Sequence, residues 1–406
     1  MAYFDNAATT YPKPDVVYSF MNDFYKSNGA SAGRGTYEGA VSAGSLIVKT
    51  RGRIQELLHC PAKQVIFTPT ATIALNMIIQ GIIKTGVTNV YISPFEHNAV
   101  TRTLHSYEKV GKIKVHKLSV TNEMSYDLER IRYQFESTAP ELIILSHASN
   151  AFGLVAPAED IFALAKKFKA VTVLDMAQTA GLVDTNIGMD VFDFAVFAGH
   201  KTLYGPTGIS GFVMKPEFPL PEVLYGGTGY DSANQDMPSA LPEKYEMGTL
   251  NIVGIAGLYA ALGWVLETTA DVLCKKEKEN RNRLLDILHN YWFIEVVGNY
   301  PGNQYVGIVS CLIDGMSSDS AGTIFDKAGV AVRTGLQCAP LAHEFIQLAA
   351  SQRGEQAADL PLDDGQCAGW RGQQSQTGFH RLRFLSGLCQ LAQQRAGAVL
   401  QHFCRQ

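Results

Sequence analysis

From about residue 65 to 215, short apolar segments alternate with helical patterns, and that alternation leaves the chain few architectures. Gln64-Val65-Ile66-Phe67-Thr68 leads into a helical pattern from Ala71. Val90-Tyr91-Ile92, Leu142-Ile143-Ile144-Leu145, Val171-Thr172-Val173-Leu174 and Phe194-Ala195-Val196-Phe197 follow in turn. Continuously apolar strands separated by helices make an α/β fold, a mostly parallel sheet covered on both faces. Ligands of such sheets sit beyond the carboxyl ends of the strands, so the residues just after each strand are the candidates for chemistry.

With 406 residues, 46% of them hydrophobic, there is material for one large domain and a smaller one. The net charge of −4 has no basic block behind it, which argues against nucleic acid and for small-molecule ligands. The opening Met1-Ala2-Tyr3-Phe4-Asp5-Asn6 lacks a basic leader. No apolar run reaches the roughly 18 residues of a membrane span. A cytoplasmic location with no membrane contact is therefore expected. The seven cysteines, Cys60, Cys274, Cys311, Cys338, Cys367, Cys389 and Cys404, are odd in number, scattered and never spaced Cys-x-x-Cys. Neither a disulfide framework nor a metal site is indicated.

Gly226-Gly227-Thr228-Gly229 and the polar stretch through Glu243 read as a mobile connection, followed by one long amphipathic helix from about Asn251 to Leu285. Strands are expected at Gly307-Ile308-Val309-Ser310 and Val330-Ala331-Val332-Arg333. After Ile346 there are twelve Gln but no Lys, Ile, Asn or Tyr, a switch in usage that suggests a translated frame change or an appended segment.

Three features past strand ends converge on one anionic aldehyde cofactor. Gly199-His200-Lys201 closes the run Phe194 to Phe197, so the Lys201 amine emerges at a desolvated strand end, where amines form Schiff bases readily. Asp175 closes the run Val171 to Leu174, placed to pair with a protonated pyridine nitrogen, and Gln178 follows it. Phe67-Thr68-Pro69-Thr70-Ala71-Thr72 passes from strand to helix, and the amides of that helix terminus favour a phosphate. Taken singly, these are an ordinary loop, a buried acid and an N-cap. Together they describe a site for pyridoxal 5'-phosphate.

The chain resembles the class V aminotransferases, and most closely their cysteine desulfurase and selenocysteine lyase branch. The likeness runs from Tyr3 to about Ile346. It rests on Tyr3-Phe4-Asp5-Asn6-Ala7-Ala8-Thr9-Thr10, Glu96-His97-Asn98, Ser146-His147-Ala148-Ser149-Asn150, Asp175-Met176-Ala177-Gln178, Gly199-His200-Lys201 and Arg333-Thr334-Gly335-Leu336-Gln337-Cys338-Ala339. The resemblance implies the fold type I of pyridoxal phosphate enzymes, with a large seven-stranded domain and a smaller C-terminal α+β domain. The expected organisation is an N-terminal segment 1–20 packing on the small domain, a large domain 21–255, a small domain 256–346 and an atypical tail 347–406.

Position by position, the resemblance implies that Lys201 carries the cofactor, His97 stacks on its ring and moves protons, and Asp175 pairs with its ring nitrogen. It implies Gln178 and Asn150 at the ring hydroxyl, and Thr72, His200 and the Ala71 amide at the phosphate. Thr249 matches a threonine that reaches the partner's phosphate, which implies a homodimer. Cys338 matches a nucleophile that takes sulfur from L-cysteine as a persulfide, leaving L-alanine and passing the sulfur to a carrier protein or thiol reductant. Asn150 and Arg333 are expected near the substrate.

Some positions depart from the family pattern. Ala71 and Ala198 stand where relatives have hydroxyl residues, each a loss of about 1 kcal/mol of cofactor binding. The arginine that clamps the substrate carboxylate in relatives has only a distorted echo, Arg381 or Arg383. The alternatives are a selenocysteine lyase, another class V aminotransferase or β-lyase, and a cofactor-binding scaffold with impaired turnover.

Overall fold

The computed structural model describes residues 1–32, 35–230 and 232–352, with side chains described as far as Gln347. The chain opens with strand β1 (Ala2–Tyr3) and helices α1 (Asp15–Asn28) and α2 (Glu38–Leu57). The central sheet then alternates with helices: β2 (Gln64–Thr68), α3 (Ala71–Lys84), β3 (Asn89–Ile92), α4 (Asn98–Glu108), β4 (Lys114–Lys117), α5 (Leu128–Ser137), β5 (Leu142–Ser146), α6 (Ala158–Lys166) and β6 (Val171–Asp175). It closes with β7 (Phe194–Ala198) and β8 (Ser210–Met214).

The seven strands run in the order β2-β8-β7-β6-β5-β3-β4. All share one direction except β8, which is antiparallel to both neighbours. Alternation along the strands divides the core as the pleat requires. Val65, Phe67, Ile143, Leu145, Ala195 and Phe197 face a layer built on α2, α5, α6 and helix α7 (Ile252–Thr268). Ile66, Leu142, Ile144, Phe194 and Val196 face α3 and α4. Each large side chain so buried contributes roughly 1.5–3 kcal/mol, so a doubly covered sheet is rigid enough to hold a site along its edge.

The expected strands of the sheet are all present, and two more appear. Lys114–Lys117 is half exposed and carries lysines at both ends, so its apolar signal is weak. The reversed Ser210–Met214 returns from β7 through the loop that bears Lys201. The single helix expected from Asn251 to Leu285 is instead two, α7 and α8 (Ala270–Leu288), which meet at an angle of 81°. The break falls at Thr269, at φ 71° and ψ 146°. Among the described residues no single helix is long and apolar enough to cross a membrane.

Beyond α8, strand β9 (Ile294–Val297) pairs antiparallel with β10 (Ser310–Ile313), followed by α9 (Ser318–Lys327), β11 (Val330–Ala331) and α10 (Pro340–Gln352). The strand expected at 307–310 thus begins where that expectation ended. Residues 305–308 pack instead along the loop after β5, where the Val306 amide donates to Gly153 and Tyr305 bridges Leu154. The strand expected at 330–333 keeps only its first two residues. It pairs in parallel with β1, and Ala2 and Phe4 pack with Leu288, Ile294, Phe325 and Val330.

Candidate active site

The carboxyl edge of the parallel strands collects the polar residues. After β7, an added Cβ at Gly199 would stand 2.4 Å from the Ile209 carbonyl oxygen, so close packing rather than an unusual φ demands glycine there. The Gly205 amide donates to the Gly199 carbonyl at 2.7 Å and closes the loop. Lys201 sits inside it, half-buried. Burial pushes its amine below the usual lysine range, and Arg333 adds to the effect, while the charges of Asp175, Cys338 and Asp5 oppose it. Lysine, acid and thiol therefore face one another within electrostatic reach.

Asp175 ends β6, buried, with Oδ1 accepting from the Ala177 amide at 2.9 Å. His97 caps α4, its Nδ1 accepting from the Ala99 amide at 3.0 Å, which leaves the ring proton on Nε2. Burial lowers its pKa, Asp175 opposes that, and Lys201 and Arg102 add to it. His200 is held to about 4 by burial and then by the charges of Lys201 and Lys13, so its ring stays neutral. Glu96, fully buried beside His97, accepts from Ser93 Oγ at 2.5 Å, the Ser146 amide at 2.8 Å and Ser146 Oγ at 2.7 Å. It ties the His97 loop to the end of β5.

Three buried polar atoms on the loops after β5 and β7 have no hydrogen-bond partner: Asn150 Oδ1, His200 Nδ1 and Thr202 Oγ1. An unpaired buried group costs about 1–3 kcal/mol, so three on adjoining loops mark a place built for a polar ligand. The start of α3 adds an anion site. Thr70, not Thr72, caps it by accepting from the Ile73 amide at 3.2 Å. The amides of Ala71 and Thr72 then have no intrahelical acceptor, and Thr72 is exposed beside them.

The remaining expected residues fall as follows. Gln178 Nε2 donates to the Ala7 carbonyl at 2.9 Å, and Asn150 Nδ2 to the Gln337 carbonyl at 2.5 Å. Arg333 pairs with both oxygens of Asp5, at 3.1 and 3.2 Å, and its pKa is raised by that bond. Cys338 is exposed at φ 56°, directly after Gln337 at φ 55°, and its carbonyl accepts from the Asn98 amide at 2.7 Å. Two consecutive left-handed residues other than glycine are costly and hold the thiol in a defined turn. Thr249 is exposed, two residues before the Asn251 cap of α7. Arg381 and Arg383, the tail from 353 onward and Cys367, Cys389 and Cys404 lie outside the described residues.

Sequence reasoning left Glu96 and the first residues of the chain without roles. The Thr10 amide and Thr9 Oγ1 each donate to the His200 carbonyl at 3.1 Å, and Thr10 Oγ1 donates to that of Lys201 at 2.8 Å. The signal for them was the run Asp5 to Thr10, which carried the resemblance but whose partners lie far along the chain.

The family described as Aminotransferase class-V matches residues 2–354. A probable cysteine desulfurase of Chlamydia muridarum is 30% identical over 348 residues, 83% of this chain and 85% of its own. One of Aeropyrum pernix is 30% identical over 367 residues, 85% and 87% of the two chains. The solved apo structure of a cysteine desulfurase from Thermococcus onnurineus superposes with a TM-score of 0.78 at 24% identity, over 85% of this chain and 87% of that one, a likeness of fold.

Proposed function

The chain belongs to the class V aminotransferase family, and from that premise we propose that it is a pyridoxal phosphate-dependent cysteine desulfurase, a cytoplasmic homodimer that converts L-cysteine to L-alanine and delivers the sulfur as a Cys338 persulfide. The observation that carries this reading is the Lys201 amine, depressed by burial and within electrostatic reach of both Asp175 and the Cys338 thiol. The residues present fit the cofactor. The α3 amides suit its phosphate, Asp175 its ring nitrogen, His97 its ring face, and the orphaned Asn150 Oδ1 and His200 Nδ1 its polar substituents.

Bound there, pyridoxal phosphate supplies an aldehyde that condenses with amines and a ring that stores the electron pair released at the substrate α-carbon. The protein's part is to position and to move protons. A lysine held below its usual range is neutral for a larger share of the time at working pH, so Lys201 can take the α-proton. His97, with its proton on Nε2, can pass a proton to or from the substrate. Cys338 Sγ attacks the substrate sulfur: an S–S bond forms, the carbon–sulfur bond breaks, and the β-carbon takes the electron pair and a proton to become the methyl of alanine. A thiol reductant then supplies two electrons and two protons, which return the thiol and release sulfide, or a carrier-protein thiol attacks the outer sulfur and takes it as its own persulfide, its proton going to Cys338 Sγ.

Thr249 of each subunit completes the phosphate site of its partner, and Asn150 orients substrate and ring. The carboxylate clamp is assigned to Arg381 or Arg383, both outside the described residues, with Arg333, paired to Asp5, shaping the charge around the substrate. The test is purified protein with L-cysteine and a thiol reductant, quantifying alanine and sulfide beside the cofactor absorbance. Equal alanine and sulfide, both lost in Cys338→Ser with the absorbance retained, is the expected result. Alanine and sulfide undiminished by that substitution would remove the persulfide step. A bound chromophore with no product would assign the chain to the impaired scaffolds.

A further inference from the structure

The backbone of the lysine loop is tied to the start of the chain as well as to the end of β7. The His200 carbonyl accepts three donors, all from residues 9–13: the Thr10 amide and Thr9 Oγ1 at 3.1 Å, and Lys13 Nζ at 2.8 Å. The Lys201 carbonyl takes Thr10 Oγ1 at 2.8 Å and the Tyr204 amide at 2.9 Å. Lys13 Nζ also reaches back to the Thr10 carbonyl at 2.7 Å, so one ammonium locks the N-terminal turn onto the peptide that precedes Lys201. The same segment is fixed at its other end to the portion that bears the thiol, through the β1–β11 pair, the Phe4 amide on the Ala331 carbonyl at 2.9 Å and the Asp5–Arg333 pair.

From this geometry we infer that Lys13 is a positioning residue for Lys201, its ammonium holding the His200–Lys201 peptide where the Lys201 amine meets the cofactor. Both hydrogen bonds of Lys13 Nζ go to backbone carbonyls, those of Thr10 and His200. Lys13 acts through the His200 carbonyl and through its charge, which helps to keep the His200 ring neutral. Burial lowers Lys13 to about 8, so around neutral pH the side chain remains mostly the ammonium that donates both bonds.

A comparison within the fold separates this role from plain structural capping. Lys63 is a buried lysine of the same kind, also lowered to about 8, whose Nζ donates to the carbonyls of Ile187, Met189 and Phe192. Residues 187–192, at the far end of the connection that carries Gln178, hold none of the site residues, so Lys63 serves as the structural control.

This role presupposes that Lys201 carries the cofactor, and two measurements keep the questions apart. Cofactor-free protein is mixed with pyridoxal phosphate, the linkage is reduced with borohydride at timed intervals, and the Lys201 peptide is quantified by mass spectrometry. Backbone hydrogen exchange over residues 199–205 is followed in the cofactor-free protein. Lys13→Met keeps the aliphatic stem and removes the donors. Attachment at Lys201 then slows by about fivefold, the factor for one lost hydrogen bond, and exchange over 199–205 accelerates by a similar factor. Lys13→Arg restores both, whereas Lys63→Met lowers the melting temperature and leaves the attachment rate unchanged. Unaltered attachment and exchange in Lys13→Met, or equal slowing in Lys63→Met, would overturn the role. If the unsubstituted chain takes no cofactor at Lys201, the proposed function fails, and the exchange measurement still decides whether Lys13 holds the loop.

Discussion

Asp175 shows how far a single residue can be argued from its surroundings. Its carboxylate is the largest charge opposing the effect of burial on both Lys201 and His97, so one negative group sets the electrostatics of two candidate site residues. Asp175→Asn keeps an oxygen for the Ala177 amide and removes only the charge. The expected outcome is a folded protein that still binds cofactor but loses turnover of L-cysteine on the order of a hundredfold, as when a preorganised charge partner is removed. Steady-state rates beside the cofactor absorbance check this, and an undiminished rate would free Asp175 of the role. Asp175, Lys201, His97 and Cys338 were legible in the sequence because each stands beside a strand or inside a motif that names its chemistry. Asp5, Lys13 and Glu96 were not, because their partners are remote. Asp5 meets Arg333 across 328 positions and Lys13 meets His200 across 187. No local period encodes such meetings, which exist only once the sheet and the small β1–β11 pair have formed.

Between elements, legibility depended on how strongly a segment punctuates itself. The helix pattern from Asn251 to Leu285 breaks at Thr269, where the sequence Glu267-Thr268-Thr269-Ala270 holds neither glycine nor proline to announce it. The cause lies in packing. Helix α7 is apolar nearly all round and lies in the core against α1 and α2, whereas α8 is charged and turns away toward β9. The bend puts Thr269 at φ 71° and ψ 146°, a region close to glycine-only. Thr269→Gly should therefore stabilise the protein, the relief of about 1–3 kcal/mol of backbone strain exceeding the 0.5–1 kcal/mol of added chain entropy. A rise in melting temperature of about 2 °C is expected, and a fall would show that the Thr269 side chain, not its backbone, sets the angle. Strand β8 escaped notice for a related reason. Ser210-Gly211-Phe212-Val213-Met214 has a glycine at its second position, where a Cβ would stand 2.2 Å from the Ile66 carbonyl oxygen, so the residue that weakens the sequence signal is the one that lets β2 and β8 approach.

For the whole molecule, two buried groups flanking the end of β5 pull stability in opposite directions with pH. Glu96 is raised from its ordinary 4.5 to about 7, chiefly by burial, so between those values the folded chain binds the extra proton and stability grows as pH falls. His147, buried with Nδ1 2.9 Å from Thr179 Oγ1, is lowered from 6.5 to about 4 by burial. There the unfolded chain binds the extra proton, and stability is lost as pH falls through that window. Each effect amounts to about 3 kcal/mol over its range, so the two nearly cancel between pH 6.5 and 4.5. Glu96→Gln removes one side of the balance and keeps an acceptor for Ser93 and the Ser146 amide. Relative to the unsubstituted protein, it should lose about 3 kcal/mol as the pH is lowered from 7 to 4.5, because it no longer gains the proton that Glu96 takes up on folding. Other titrating groups, among them Glu246 and His116, contribute equally to both proteins and drop out of the difference. Urea unfolding of the two proteins at a series of pH values reads that difference directly, and a constant offset between them would mean that Glu96 stays ionised in the fold, with its three donors outweighing its burial.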